Sequence, residues 1–142
     1  MSGRQAWTTG SGGHRPEELG ALAEGHDLVV VDIRLSPRSR VPGWNRGPLA
    51  GLLGDRYQLV GELGNRNYRG DGPVVIADLR AGVRALATIE RTPLLLCVCA
   101  DAATCHRQVV GTRLIELGWN VAEIAWEDAP RPRLVQARLP ET

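Results

Sequence analysis

Lysine and phenylalanine are absent from this chain of 142 residues, and all 17 of its basic residues are arginine. The simplest interpretation is a GC-rich coding sequence, because the codons for both missing residues are rich in A and T. The absence still has a chemical consequence. Without lysine the chain has neither a lysine Schiff base nor a Walker A phosphate-binding lysine, so both mechanisms are excluded.

Cysteine is scarce and confined to one segment, residues 97–105. Three cysteines do not make a disulfide framework, so we expect reduced thiols. No apolar run is long enough to cross a bilayer, and the first residues lack the pattern of a signal peptide. We therefore expect a cytoplasmic protein with no membrane partner. The formal net charge of +1 argues against nucleic-acid binding by bulk electrostatics.

Strand-like and helix-like segments alternate along the chain. The runs "DLVVVDIR" and "TPLLLCVCA" are typical of strands buried on both faces, and "RYQLV" and "WNVAEIAW" suggest two more. This alternation predicts an α/β fold: a single three-layer domain over residues 1–126, with a mostly parallel open sheet and helices on both faces. Residues 127–142 are rich in proline and arginine and are expected to form a tail.

Helical spacing predicts the boundaries of three helices. The first is expected to begin near Pro16 and to end at Gly25. The second is expected to include apolar residues from Val75 onward. The third is predicted to begin at an N-cap, Thr104, to bury a face that includes Leu117, and to stop at Gly118. In sheets of this kind ligands bind beyond the carboxyl ends of the strands, where we expect the loops 32–40, 62–69 and 97–107.

The segment "TCHR" is the first candidate for chemistry. A thiol at the first turn of a helix lies near unpaired amides and the positive end of the helix dipole, which lowers its pKa and makes Cys105 a candidate nucleophile. His106 and Arg107 would add positive potential, and the helix start would suit an anion. The alternative is that Cys105 is a small buried residue in the core.

The segment "VVVDIRLSPRSR" is the second candidate. Arginine suits bidentate contacts with phosphate or carboxylate, so Arg34, Arg38 and Arg40 could hold an anion while Asp32 acts as acid or base. The alternative is an internal ion pair between Asp32 and one of these arginines. Glu62 has the same two interpretations: it is a general base, or an acid that neutralises the arginines of the loop at 34–40, called the arginine loop below.

Cys97 and Cys99 are weaker candidates. Cys97 is best explained by core packing. With Cys105 and His106 the two cysteines could form a zinc site, although the spacing matches no closed site known to us. Sulfur transfer through Cys99 and Cys105 is a further alternative. We predict no cofactor and no bound metal.

The segments "WTTGSGG", "VVVDIRLSPRSR" with "GWN", "ELGNR" and "LLLCVCADAATCHR" occur in the order, and at roughly the spacing, found in the family called domain of unknown function 488. The chain resembles that family over residues 6–126. The resemblance implies a small three-layer α/β fold with polar loops gathered on one side, but no reaction. Two positions depart from the family pattern: Cys99 stands where glutamate is usual, and Asn65 where a second glycine is usual. The ligand-binding residues that the resemblance and the arginine loop together suggest are Thr9, Arg34, Arg38, Ser39, Arg40, Asn45 and Arg107.

Three functions are therefore predicted, in descending order. The first is an enzyme acting on a small anionic, nucleotide-like or phosphate-like ligand, with Cys105, His106, Asp32 and Glu62 as catalytic residues. The second is a binding module for nucleotides or nucleic acid, in which Trp44 and Tyr68 stack on bases. The third is a thiol or zinc protein. Sequence alone does not specify the oligomeric state.

Overall fold

The computed structural model describes residues 4–11, 14–37, 39, 41–67, 73–97 and 106–124, which form one parallel sheet flanked by helices. The strands are β1 (Gln5–Gly10), β2 (Leu28–Asp32), β3 (Tyr57–Leu59), β4 (Thr92–Cys97) and β5 (Asn120–Glu123). The helices are α1 (Pro16–His26), α2 (Arg46–Leu53), α3 (Leu79–Ala87) and α4 (His106–Glu116). Short 3-10 turns lie at Pro42–Trp44, Gly54–Arg56 and Gly61–Leu63.

The five strands lie in the order β3-β2-β4-β1-β5, and every pair is parallel. β4 is the central strand: its Leu96 stands opposite Asp32 of β2 and Thr9 of β1. The predicted α/β fold is confirmed. The described sheet is parallel throughout.

Apolar side chains cover both faces of the sheet, because successive residues of a strand point to opposite sides. Leu94 and Leu96 of β4 pack with residues of α1 and α2, whereas Leu95 and Cys97 pack with residues of α3 and α4. The continuous apolar runs in the sequence therefore reflect a strand buried on two sides. No helix among the described residues has the length and apolarity that a membrane span requires.

The first helix ends later than the sequence predicted. It continues to His26, and the residue that terminates it is Asp27, which adopts the left-handed conformation with φ 55°. Asp27 can take that role in place of Gly25 because aspartate is among the residues that tolerate this conformation.

The next two predictions also need correction. α3 begins only at Leu79, because the carboxylate of Asp78 accepts a hydrogen bond from the amide of Ala81 and caps the helix; Val75 lies outside it. In α4 the predicted stop at Gly118 is confirmed by its φ of 98°, but Leu117 is 55% exposed and does not join the buried face.

The chain changes direction across the sheet at the end of β4. The helices that follow β1 and β2 cover one face of the sheet, while the helix that follows β4 covers the other. Since β4 lies between β2 and β1, the chain leaves neighbouring strands in opposite directions there, which is where open α/β sheets bind their ligands. The predicted loops begin at this edge.

Candidate functional site

A buried ion pair stands at the end of β2. The carboxylate of Asp32 is fully buried and binds the guanidinium of Arg34 in a bidentate manner, with Nε 2.7 Å from Oδ1 and Nη2 2.6 Å from Oδ2. The hydroxyl of Tyr57 donates to Oδ2 at 2.7 Å, and the amide of Arg34 donates to Oδ1 at 3.2 Å. Each oxygen thus accepts two hydrogen bonds. These contacts favour the ion-pair interpretation of Asp32 over a role as general base, which remains a prediction.

The ion pair with Asp32 does not use Nη1 of Arg34. Its side chain is 6% exposed, and its Nη1 is buried without a hydrogen-bond partner among the described residues. A buried donor without an acceptor costs about 1–3 kcal/mol, and more when it carries charge. An acceptor delivered by a ligand would remove that cost.

Tyr57 completes the environment of the ion pair. Burial, together with the hydrogen bond to Asp32 and the negative charge of that residue, raises the pKa of its phenol above the usual range. The phenol therefore stays protonated and acts as a donor to the carboxylate at all physiological pH values. Sequence reasoning missed Tyr57, which lies 25 positions from Asp32 and carries no motif of its own.

His106 joins the start of α4 to the end of β2. Its Nε2 lies 2.8 Å from the carbonyl oxygen of Ile33, and the side chain is buried. Burial lowers the pKa of the imidazole; the nearby charge of Arg107 lowers it further, while the Ile33 hydrogen bond and Asp32 oppose the shift. The ring is therefore neutral near pH 7.

Arg107 lies in a second buried network, on the α4 face of the sheet. Its Nε and Nη2 donate to the carboxylate of Glu123, the shortest contact being 2.9 Å, and its Nη1 donates to Sγ of Cys97 at 3.2 Å. Thr8 donates to the same carboxylate at 2.6 Å. Burial alone would lower the pKa of Arg107, but these hydrogen bonds and the charge of Glu123 outweigh it and raise the pKa.

The Arg107 network links α4 to β1, β4 and β5. All three guanidinium nitrogens already donate to described residues, so the network offers a ligand less than Arg34 does. Beside it a groove of about 230 Å³ runs between α4 and β5, lined by Gln108, Thr112 and Ile115 among others. Glu123 is a second residue that sequence reasoning missed.

The loop that contains Glu62 packs against the loop after β2. A Cβ added to Gly64 would lie 2.4 Å from the amide nitrogen of Leu35, so only glycine fits this backbone contact. Leu63 is fully buried beneath it, whereas Glu62 itself is exposed. Glu62 has no side-chain hydrogen bond to another described residue, and its predicted role as a base is not supported by a contact.

Asn65, the position where the resemblance leads one to expect glycine, has a structural role. Its Oδ1 accepts hydrogen bonds from the amides of Asn67 and Val75, at 2.9 and 3.0 Å, and its backbone bridges to Ile76. Its φ is not in the left-handed region, so this position does not need glycine.

Hydrogen bonds of Ser39 and Asn45 fix the backbone of the arginine loop. The amide of Ser39 donates to Oδ1 of Asn45 at 2.6 Å, and the hydroxyl of Ser39 accepts from the amide of Val41 at 3.1 Å. Thr9 is fully buried in β1, where its hydroxyl donates to the carbonyl of Gly10 at 3.2 Å. These contacts fix the backbone near the carboxyl ends of β1 and β2.

Trp44 is not available for stacking on a base. It is 3% exposed and packs in the core on the face of α1 and α2. The prediction that Trp44 lies in a loop and stacks on a base is therefore wrong. The pattern misled because Trp44 follows Pro42 and Gly43 in a loop-like segment, yet those residues form a 3-10 turn that turns the indole inward.

Several predicted residues lie outside the described part of the chain. They are Arg38, Arg40, Tyr68, Cys99, Thr104, Cys105 and the tail at 127–142. Of the proposed zinc ligands, Cys97 and His106 are described, and each binds another group of the protein. Among the described residues no group of three or more His, Cys, Asp or Glu is placed to hold a metal ion.

The described residues form an α/β domain with helices on both faces of a parallel sheet and two buried ion-pair networks beside its strand ends. No model of a known protein family matches the chain, and no curated protein and no solved structure matches it either. The resemblance to the family called domain of unknown function 488 therefore stays an expectation based on its motifs.

Proposed function

We propose that this protein is an enzyme that binds a small anionic ligand, of the phosphate or nucleotide class, where β1, β2 and β4 end. The observation that carries the proposal is the buried Nη1 of Arg34 at this edge, to which no described residue offers an acceptor. The contacts of the described residues support binding. The catalytic step, with Cys105 as nucleophile, comes from the sequence alone.

Three features favour an anion over a neutral or cationic ligand. Arg34 has a donor to spare, and its guanidinium is fixed by Asp32 so that little freedom is lost on binding. The start of α4 contributes the positive end of a helix dipole. Arg46 is close enough to Tyr57 to lower the pKa of the phenol, and it adds positive charge on the α2 side.

Calorimetric titration with inorganic phosphate and with adenosine monophosphate tests the proposal. The informative variant is Arg34→Lys, which keeps the charge opposite Asp32 but removes the planar fork and its spare donor. We expect the unaltered protein to bind at least one of the two ligands. Arg34→Lys should weaken that binding by roughly tenfold or more, the size expected for a charge-assisted hydrogen bond.

The matched control is Arg113→Lys. Arg113 lies on the same helix as His106, is 51% exposed and pairs only with Glu116 among the described residues, so its replacement should leave the affinity unchanged. Circular dichroism of each variant verifies that the fold is kept. The proposal is wrong if the unaltered protein binds neither ligand, or if Arg34→Lys binds as tightly as Arg113→Lys.

A second measurement addresses Cys105 directly. The rate at which iodoacetamide alkylates each thiol is followed by mass spectrometry, with and without phosphate. If Cys105 faces the bound anion, phosphate should slow its alkylation in the unaltered protein and not in Arg34→Lys. Equal rates with and without phosphate, in a protein that calorimetry shows to bind phosphate, would remove Cys105 from the site.

A further inference from the structure

The hydrogen bond of His106 fixes which ring nitrogen carries the proton. Nε2 lies 2.8 Å from the carbonyl oxygen of Ile33, and a carbonyl oxygen can only accept. Nε2 is therefore the donor. In a neutral imidazole the other nitrogen, Nδ1, then has a lone pair and can only accept a hydrogen bond.

The ring is neutral because its surroundings oppose a charge. It is buried, and the positive charge of Arg107 acts against a second positive charge nearby. Asp32 and the Ile33 carbonyl act in the opposite sense, but the balance lowers the pKa. No described residue donates a hydrogen bond to Nδ1. Within the described part of the chain, Nδ1 of His106 is thus an unused acceptor at the edge of the sheet.

Among the described residues, the carboxyl end of β2 therefore has one nitrogen with an unused donor and one with an unused acceptor. The donor is Nη1 of Arg34, and the acceptor is Nδ1 of His106. The two residues meet at one peptide unit, because His106 binds the carbonyl of the peptide that joins Ile33 to Arg34. Asp32 cannot serve as the acceptor, since each of its oxygens already accepts two hydrogen bonds.

We propose that this donor and acceptor select a protonated oxyanion: a hydrogen phosphate, whose oxygens accept from Arg34 and whose hydroxyl donates to His106. This inference rests on the proposed function and adds the specificity-determining residue, His106. At neutral pH inorganic phosphate keeps at least one proton, whereas sulfate of similar size and shape has none. Bound sulfate would leave the His106 acceptor unpaired and facing an anionic oxygen, which is a repulsive contact.

The test compares phosphate with sulfate by calorimetry at neutral pH. A hydrogen bond to a charged group discriminates by roughly ten- to a hundredfold. We therefore expect the unaltered protein to bind phosphate at least tenfold more tightly than sulfate. His106→Leu should lose most of this preference, because leucine has no hydrogen-bond acceptor, whereas the amide oxygen of glutamine could take the place of Nδ1.

His14→Leu is the matched control. His14 is a partly exposed histidine before α1 that contacts Glu18, so its replacement should keep the preference for phosphate. Equal affinity for phosphate and sulfate in the unaltered protein would overturn the inference while leaving the proposed anion site intact. Binding of neither anion would instead overturn the proposed function, so the two failures are distinguishable.

Nitrogen NMR of the histidine ring gives a readout that does not depend on affinity. In the free protein labelled with ¹⁵N at histidine, His106 should show the proton on Nε2 and none on Nδ1. Phosphate should shift the Nδ1 resonance, as expected for a nitrogen that gains a hydrogen bond, and leave Nε2 protonated. A proton on Nδ1 in the free protein would overturn the inference, whatever the calorimetry shows.

Discussion

Arg34 and Arg107 are both buried arginines beside strand ends, and each pairs with a carboxylate, yet the two pairs differ in exposure and in unused hydrogen bonds. The partner of Arg34 is Asp32, whose side chain is 0% exposed, while the partner of Arg107 is Glu123, whose side chain is 43% exposed. Arg107 donates to described residues from all three nitrogens, whereas Nη1 of Arg34 has no partner among them.

The comparison shows that an arginine in a motif does not by itself indicate a ligand contact. Arg107 is the last residue of "TCHR", the strongest motif in the sequence, but its donors bind Glu123 and Cys97 within the protein. Arg34 was as easily explained by an ion pair, and it forms one, but it also keeps a donor. The number of unsatisfied donors, rather than the motif, separates the two.

Removing each arginine in turn should give the largest difference between the two pairs. Arg34→Ala leaves Asp32 charged and fully buried, and we expect a loss of about 3–5 kcal/mol in the free energy of unfolding. Arg107→Ala leaves Glu123 free to bind water, so we expect a loss of about 1–2 kcal/mol. Urea denaturation measures both.

Double-mutant cycles provide the control for this prediction. The coupling between positions 32 and 34, obtained with Asp32→Ala, should exceed the coupling between 107 and 123, obtained with Glu123→Ala. If Arg107→Ala is the more damaging change, or if the two couplings are equal, exposure of the carboxylate is not what distinguishes the pairs.

A smaller effect is expected from the glycines that support each region. In Gly64→Ala the new Cβ would meet the backbone of Leu35 at 2.4 Å, so the loop after β2 must shift, at a cost of about 1–3 kcal/mol. In Gly111→Ala the nearest atom is a methyl group of Val121 at 3.3 Å, which can give way, and alanine favours a helix. We expect a change within about 1 kcal/mol there.

The same pair of variants also reports on the site. Because Leu35 follows Arg34 directly, Gly64→Ala should weaken phosphate binding, whereas Gly111→Ala should not. Thermal unfolding and calorimetry on both proteins check the two expectations. A Gly64→Ala protein as stable as the original would show that the two loops are not held in contact.

Sequence alone was sufficient for the architecture. The β-branched run before Asp32 and the apolar run before Cys97 identified two buried strands, and the alternation of strands with helices implied a parallel sheet. That inference in turn placed the loops after β2 and β4 at one edge, and the hydrogen bond between His106 and Ile33 brings them together.

The pairing partners could not be predicted from the sequence. Glu123 binds Arg107 across 16 positions and Tyr57 binds Asp32 across 25, and no periodicity links residues so far apart. The local sequence was also misleading at Trp44. The preceding proline and glycine indicate an exposed loop, although the indole is buried. Tertiary contacts determine which polar groups have hydrogen-bond partners. The presence or absence of those partners distinguishes a structural ion pair from a candidate binding site.

The smallest effect is expected from pH. It sharpens the comparison because one member of each pair shifts the pKa of His106, Asp32 upward and Arg107 downward. Burial lowers the pKa of His106 in the folded protein, whereas the unfolded chain keeps a value near 6.5. The unfolded state therefore binds a proton first as pH falls. The contribution of His106 to the free energy of unfolding is therefore complete above about pH 6.5 and is lost as pH falls through the folded-state pKa.

Urea denaturation at a series of pH values between about 7.5 and 5 measures this loss. His106→Gln should flatten the decline, and His26→Gln should remove a separate share, because burial also lowers the pKa of His26. Arg107→Ala removes a charge that disfavours imidazolium, so its decline should be shallower than that of the unaltered protein. A His106→Gln protein that keeps the full pH dependence would show that this ring is not buried in its neutral form, and the acceptor assigned to Nδ1 would then have no basis.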